Sequence, residues 1–281
     1  MSNAPSSRRI WLCADDYGIS PGVNRSIREL IAMGRLNATS GMTVGPAIGR
    51  DEVDALRAVV AERPGCAIGL HATLTAPFVP LTMHFKPLHG GLFLPLGKML
   101  ARSMLRRLDA EIIRSELNAQ LAAFVALFGR APDYVDGHQH VHLFPQVRDA
   151  FIDAVTEAAP AAWVRQCGRN QPLGARLHTP KALLLDSLST GFRKRAAARG
   201  VACNPAFAGA YDFAKPADFA GLMQSFLKDM PEGGLIMCHP GYVDDVLISL
   251  DPLTDQRVRE HDYLASNDFP RLLASQGVTL D

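Results

Sequence analysis

Three histidines stand at alternate positions in DGHQHVHLFP, residues 136–145: His138, His140 and His142. On an extended chain, side chains two apart share a face about 6.6 Å from each other, so this spacing predicts three imidazoles aimed into one space. Imidazoles so placed can hold a metal ion or move protons. Other reactive side chains close apolar runs elsewhere: Asp15 and Asp16 after RIWLCA, His71 in CAIGLHATLT, Asp136 in YVDGH, Arg165 in AWVRQC and His239 in GLIMCHPG. A carboxylate with two imidazoles suits a divalent ion such as zinc, manganese, iron or cobalt, and three protein ligands leave a position for water, as a catalytic site requires. Adjacent residues on an extended segment point to opposite sides, so Asp15 and Asp16 are expected to divide the work, one on the ion and one on protons. No HExxH, GxSxG or cysteine-nucleophile signature is present, which leaves metal-activated water as the most economical nucleophile.

The elements that must position these groups alternate along the chain. RIWLCADD (9–16) reads as a strand, and SPGVNRSIRELIAMG follows as a helix with Ser20 at its N-cap, Pro21 in its first turn and Gly34 at its stop. Further strands are expected at 37–45, 66–75, 134–138, 162–167, weakly near 201–207, and at 234–241, with helical patterns between them. Seven or eight βα units predict an α/β fold with a parallel sheet closed or nearly closed into a TIM-like barrel, one domain over 1–281. An open doubly wound sheet is the alternative, but no GxGxxG or GxxxxGK follows the first strand. Singly, each reactive residue has an ordinary structural explanation as a turn or a satisfied core group. At the carboxyl ends of several strands of one sheet, where such folds keep their active sites, they read as a site.

Two stretches break the rhythm, 76–108 and 242–262, and are expected to form the rim that sets substrate choice. They carry Phe78, Phe85, Phe93 and Tyr242, aromatic faces able to stack on a ligand or, alternatively, simply to cover the mouth of the barrel. Their apolar content is compatible with a homodimer. The 29 basic and 28 acidic side chains nearly cancel to +1, which points away from nucleic acid and membrane surfaces. No apolar run reaches the roughly 20 residues of a membrane span and the N-terminal residues lack a signal-peptide core, so a cytoplasmic protein is expected. Five cysteines without CxxC spacing read as reduced thiols.

ADDYGIS with PGVN (14–24), GLHATLT (69–75), DGHQHVHLFP (136–145) and CHPG (238–241) together resemble the YdjC-like carbohydrate deacetylases, a group that includes chitooligosaccharide deacetylases and hopanoid-biosynthesis-associated deacetylases. The resemblance runs from about Arg9 to Leu273, with the motifs in family order. It implies a distorted (β/α) barrel of the glycoside hydrolase/deacetylase type, one divalent metal ion (magnesium or zinc, with manganese or cobalt also compatible), and hydrolysis of an N-acetyl group on an amino sugar or glycolipid. Carried over by position, Asp16, His71 and His138 look like metal ligands, Asp15 the general base, His239 the acid that protonates the departing amine, and Arg165 the arginine that holds the catalytic aspartate. His140, His142 and Tyr17 are implied as substrate-binding or supporting residues. Tyr17 stands where the family often has Phe, and Gln139 where a third consecutive histidine is common. Two other readings follow from such a site: a metal-dependent sugar isomerase or phosphoesterase, and a non-catalytic carbohydrate-binding protein.

Overall fold

A computed structural model describes residues 7–168, 180–213 and 217–281. Seven parallel strands form one curled sheet: β2 (Trp11–Tyr17), β3 (Ala38–Gly41), β4 (Ala67–Ala72), β5 (Tyr134–Gly137), β6 (Trp163–Val164), β7 (Phe207–Ala208) and β8 (Leu235–Cys238). Their order is β6-β5-β4-β3-β2-β8-β7, which puts β2 near the middle and the predicted reactive residues at one end. Strand β2 is buried along almost its whole length, as expected of a parallel strand covered on both faces. A separate parallel pair, β1 (Arg8–Arg9) with β9 (Val278–Thr279), joins the first and last described strands. Asn37 ties the two together, its side chain accepting from Leu12 N and donating to Ile10 O and Leu280 O, each at 2.8 Å.

The α/β fold with a parallel sheet is present, and the sheet is curled, a half-barrel rather than a full ring of ladders. Among the described residues no ladder joins the edge strands β6 and β7; the segment before β7 approaches β6 through one bridge, Val164 to Cys203, and a bond from Val164 N to Ala202 O. The helices fall where the periodicity places them. Helix α1 (Pro21–Ala32) is capped by Ser20, whose hydroxyl accepts from Val23 N; α2 (Arg50–Ala61) follows.

Both segments read as irregular contain helices. In 76–108, Phe93 N bonds Phe78 O and Ala76 N bonds Leu94 O, and α3 (Leu96–Met104) follows. Glu116, buried on α4 (Ala110–Phe128), pins the outer loop by accepting from Leu81 N and from the Thr82 amide and hydroxyl. The connector α5 (Val147–Ala158) and helices α6 (Pro180–Ala198) and α7 (Phe219–Leu227) complete the expected set. In 242–262 lie α8 (Asp245–Leu250) and most of α9 (Asp255–Ala265), and α10 (Asp268–Ser275) follows. Helix α9 escaped the pattern because it buries Arg257, Glu260 and His261 alongside a single leucine, so no apolar stripe marks its inner face. The aromatic rim is also corrected. Phe78, Phe85 and Phe93 are buried, Phe85 and Phe93 edge-to-face on each other, and the Tyr242 ring lies between Arg25 and His261. Phe85 and Phe93 thus serve as the insertion's own core, while the buried Phe78 ring packs against His138.

The largest departure concerns the three alternating histidines. Strand β5 stops at Gly137, and His138–Leu143 is a 3₁₀ turn in which Gln139 and His140 have φ of 53° and 58°. Side chains on such a turn diverge, so the rings do not share one face. His142 folds back between Phe151 and Phe192 and donates Nε2–H to the Arg165 carbonyl at 2.8 Å. Gly137 is required there, because a Cβ would lie 2.7 Å from His142 Nδ1. Burial opposes a charge on His142 more than its bond to the Arg165 carbonyl favours one, and its pKa falls to about 4. An unfolded histidine titrates near 6.5, so the unfolded chain takes up this proton first; the stability is fully present above about pH 6.5 and is lost as pH falls toward 4. Urea unfolding at pH 7 and pH 5 is therefore expected to show a loss of stability that is smaller by about 2 kcal/mol in His142→Gln.

Candidate active site

The site begins with a break in β2. The ladder with β3 shifts between Ala14 and Tyr17, and Asp16 sits in the left-handed region with φ 67°. Strict alternation therefore fails where the two carboxylates lie, and both Asp15 and Asp16 are buried at the same end of the sheet. They are held by different arginines. Arg165 grips Asp15 with both terminal nitrogens, Nη1 to Oδ2 at 2.7 Å and Nη2 to Oδ1 at 2.6 Å. Arg257 reaches Asp16 Oδ2 at 2.6 Å and braces itself on Asp251 at 2.6 Å and on Leu253 O.

The other oxygen of Asp16 faces two imidazoles. His138 Nδ1 lies 3.0 Å from Asp16 Oδ1 and His71 Nε2 lies 3.3 Å from it. The far nitrogen of His71, Nδ1, is 2.6 Å from Asp136 Oδ1, its register partner on β5. A carboxylate on the outer nitrogen fixes the tautomer and presents Nε2 inward, the usual support of a ligating histidine. Donor atoms of Asp16, His71 and His138 all lie within 4.8 Å of one another in buried surroundings, a one-carboxylate, two-imidazole set that fits a divalent ion.

A second buried cluster, Cys13, Asp15 and Asp136, also brings its donors within 4.8 Å. Its centre is taken by Arg165, with Nη2 at 3.0 Å from Cys13 Sγ and 2.5 Å from Asp136 Oδ2. Burial pushes the Cys13 thiol up, and its sulfur also meets the Tyr134 hydroxyl at 2.8 Å. A neutral thiol beside a guanidinium is a poor ligand, so only the first cluster fits an ion.

Charge explains the contrast. Burial would raise the Asp15 pKa, but Arg165 and then His71 outweigh it and hold the carboxyl well below the usual range. For Asp16, Arg257 and then His138 overcome the same burial. Burial works against a charged His71, but Asp136 and Asp15 overcome it and lift the pKa to about 10. Three buried carboxylates against two buried guanidinium groups leave the cluster short of positive charge. Without a metal ion, an imidazole makes up that shortage by keeping a proton.

His239, half-buried at the end of β8, lies close enough to Asp15 to favour its charge. Its backbone N–H donates to Glu260 Oε2 at 2.5 Å, its ring stands edge-on to Phe213, and its Nδ1 is buried without a hydrogen-bond partner. Glu260 also accepts from the Tyr211 hydroxyl at 2.6 Å.

The structure thus brings together Asp15, Asp16, His71, His138, Arg165 and His239. His140 turns toward Cys167 Sγ, 3.5 Å away, and the Phe207 ring, while His142 supports the Arg165 backbone. Tyr17 faces away from the cluster: its buried hydroxyl bonds Glu52 of α2 and Arg28 of α1, because the turn at Asp16 sends the next side chain into the helical layer. Sequence reasoning named Asp136 as a strand end without giving it a function, and missed Arg257 and Glu260. Asp136 could have been found from its place two residues before His138. The other two carried no signal beyond charges spaced i, i+3 on a short polar helix.

The chain is 29% identical to the chitooligosaccharide deacetylase of Serratia marcescens over 95% of this chain and 94% of that protein. It is 35% identical to the human carbohydrate deacetylase over 52% of this chain and 45% of that protein. Among solved structures, a protein of Enterococcus faecalis V583 described as a candidate for cellobiose-phosphate cleavage superposes with a TM-score of 0.75 at 21% identity, covering 98% of this chain and 97% of that one. That likeness is one of fold. Residues 9–275 match the family described as YdjC-like protein, and on that match, which takes in nearly the whole chain, the protein belongs to the YdjC-like family.

Proposed function

We propose that this protein is a metal-dependent carbohydrate deacetylase that hydrolyses the N-acetyl group of an amino-sugar-containing substrate, working in a single barrel-like domain. The observation that carries the reading is the separation of two adjacent carboxylates: Asp16 faces His71 and His138, while Asp15 is held apart from them by Arg165. Two full-length relatives named chitooligosaccharide deacetylase, from Serratia marcescens and Citrobacter koseri, support the substrate class.

In this reading Asp16, His71 and His138 hold the ion. A divalent ion bound there supplies Lewis acidity, making water more acidic and polarising a carbonyl. Asp15, kept ionised by Arg165, accepts the proton that water gives up. Because its pKa is depressed, Asp15 is a weak base, and it is effective only where water has already been acidified. Arg165, locked to both Asp15 and Asp136, fixes the base and the support of His71 in one contact. His239, across from Asp15, donates to the amide nitrogen as the C–N bond breaks. His140, edge-on to Phe207 of β7, is assigned to contact with the sugar.

Acetate release from a panel of N-acetylated sugars, using metal-stripped protein with single metals restored, is expected to be metal-dependent for at least one member; metal binding without acetate from any member would contradict the reading. Asp15→Asn is expected to retain metal and lose at least 100-fold in turnover. His71→Ala is expected to lose both metal and turnover. Arg257→Met, probed by calorimetric titration of the metal-free protein, is expected to bind metal 10- to 100-fold more weakly although Arg257 is not a ligand, as loss of an outer support commonly does.

A further inference from the structure

The near-neutral charge of the chain conceals a local segregation. From Ala76 to Leu108 the sequence carries Lys86, Lys98, Arg102, Arg106 and Arg107, and no acidic residue occurs between Glu62 and Asp109. All five basic side chains are exposed. So are large apolar side chains of the same insertion: Met83 is 93% exposed and Leu105 62%, with Val79, Leu81, Leu88 and Met104 beside them in the sequence.

These apolar groups are not exposed because the segment is loosely packed. Phe85 and Phe93 form its inner core, and Glu116 holds the Leu81 and Thr82 amides, so the backbone between them is fixed with its aliphatic side chains outward. Helix α3 buries Met99 and Ser103 and turns Lys98 and Arg102, one turn apart, to solvent, with Leu105 exposed at its C-cap. A polar partner does not require bare Met and Leu, and nucleic acid recognised by stacking requires aromatic faces, which here are all inside. Basic side chains interspersed with unpaired aliphatic ones suit a surface with anionic headgroups over an apolar layer.

We propose that the solvent-facing side of the 76–108 insertion docks on an anionic lipid bilayer, peripherally and without insertion of a helix. Among the described residues no helix is long and apolar enough to cross a membrane. Docking would bring the site to the lipid surface, because Phe78 of the same insertion stands edge-on to His138 with ring centroids 5.6 Å apart. The surface does not depend on the reaction, so its failure would leave the deacetylase reading intact.

The test is co-sedimentation of the full chain with vesicles of phosphatidylcholine alone and with one-third phosphatidylglycerol. Binding is expected to the anionic vesicles alone and to weaken as salt rises. Arg102→Glu with Arg106→Glu and Arg107→Glu should weaken it on the order of 100-fold, following a few-fold effect per charge. Met83→Ser with Leu105→Ser should weaken it several-fold and leave the salt dependence in place. All five positions are exposed, and unchanged melting would show that the variants fold. No binding to anionic vesicles at low salt, equal binding by the charge-reversed variant, or binding to RNA without binding to vesicles would overturn the proposal.

Discussion

The site depends on how three carboxylates can be buried together. Asp15, Asp16 and Asp136 lie at one end of the same sheet, each almost without solvent contact, and unpaired carboxylates in such surroundings would take up protons or drive the strands apart. Arg165 resolves most of this by lying between Asp15 and Asp136 and meeting both within 2.6 Å. A planar, permanently charged fork can bridge two carboxylates from β2 and β5, strands separated in the sheet by β3 and β4, in a way that a lysine ammonium cannot. Arg257 does the same for Asp16 from outside the sheet. The carboxylates are thereby sorted: one is committed to a guanidinium, one supports an imidazole, and one turns an oxygen toward two imidazoles.

That sorting uses unusual backbone. Asp16, Gln139 and His140 all have positive φ without being glycine, a conformation that costs on the order of 1–3 kcal/mol per residue and persists only where the surroundings enforce it. At Asp16 the surroundings are Arg257 and the two imidazoles. At His138–Leu143 they include the His142 bond to Arg165 O, so the turn that aims His138 inward is fastened to the strand carrying the arginine. The strained positions and the buried charges therefore support one another.

Much of this was legible in the sequence. The βα rhythm, the Ser20 cap and the grouping of Asp15, Asp16, His71, Arg165 and His239 at strand ends follow from local patterns, because short apolar strands and amphipathic helices carry their periodicity openly. The arrangement of DGHQHVHLFP did not follow, since the alternation rule assumes an extended chain and two left-handed residues ended it. Arg257 and Glu260 were invisible for a different reason: helix α9 faces the site with charged groups that find partners only in the folded chain. The phenylalanines of 76–108 were misplaced because an aromatic residue in an insertion has the same pattern whether it lines a mouth or fills the insertion's own core.

The central claim is the division of function between two neighbouring aspartates. A crystal structure of the protein grown with manganese or zinc, with data collected at the metal's absorption edge, tests it directly. The account predicts one anomalous peak bounded by Asp16, His71 and His138, with Asp15 still paired to Arg165. A peak among Cys13, Asp15 and Asp136, or Asp15 released from Arg165 to ligate the ion, would contradict it.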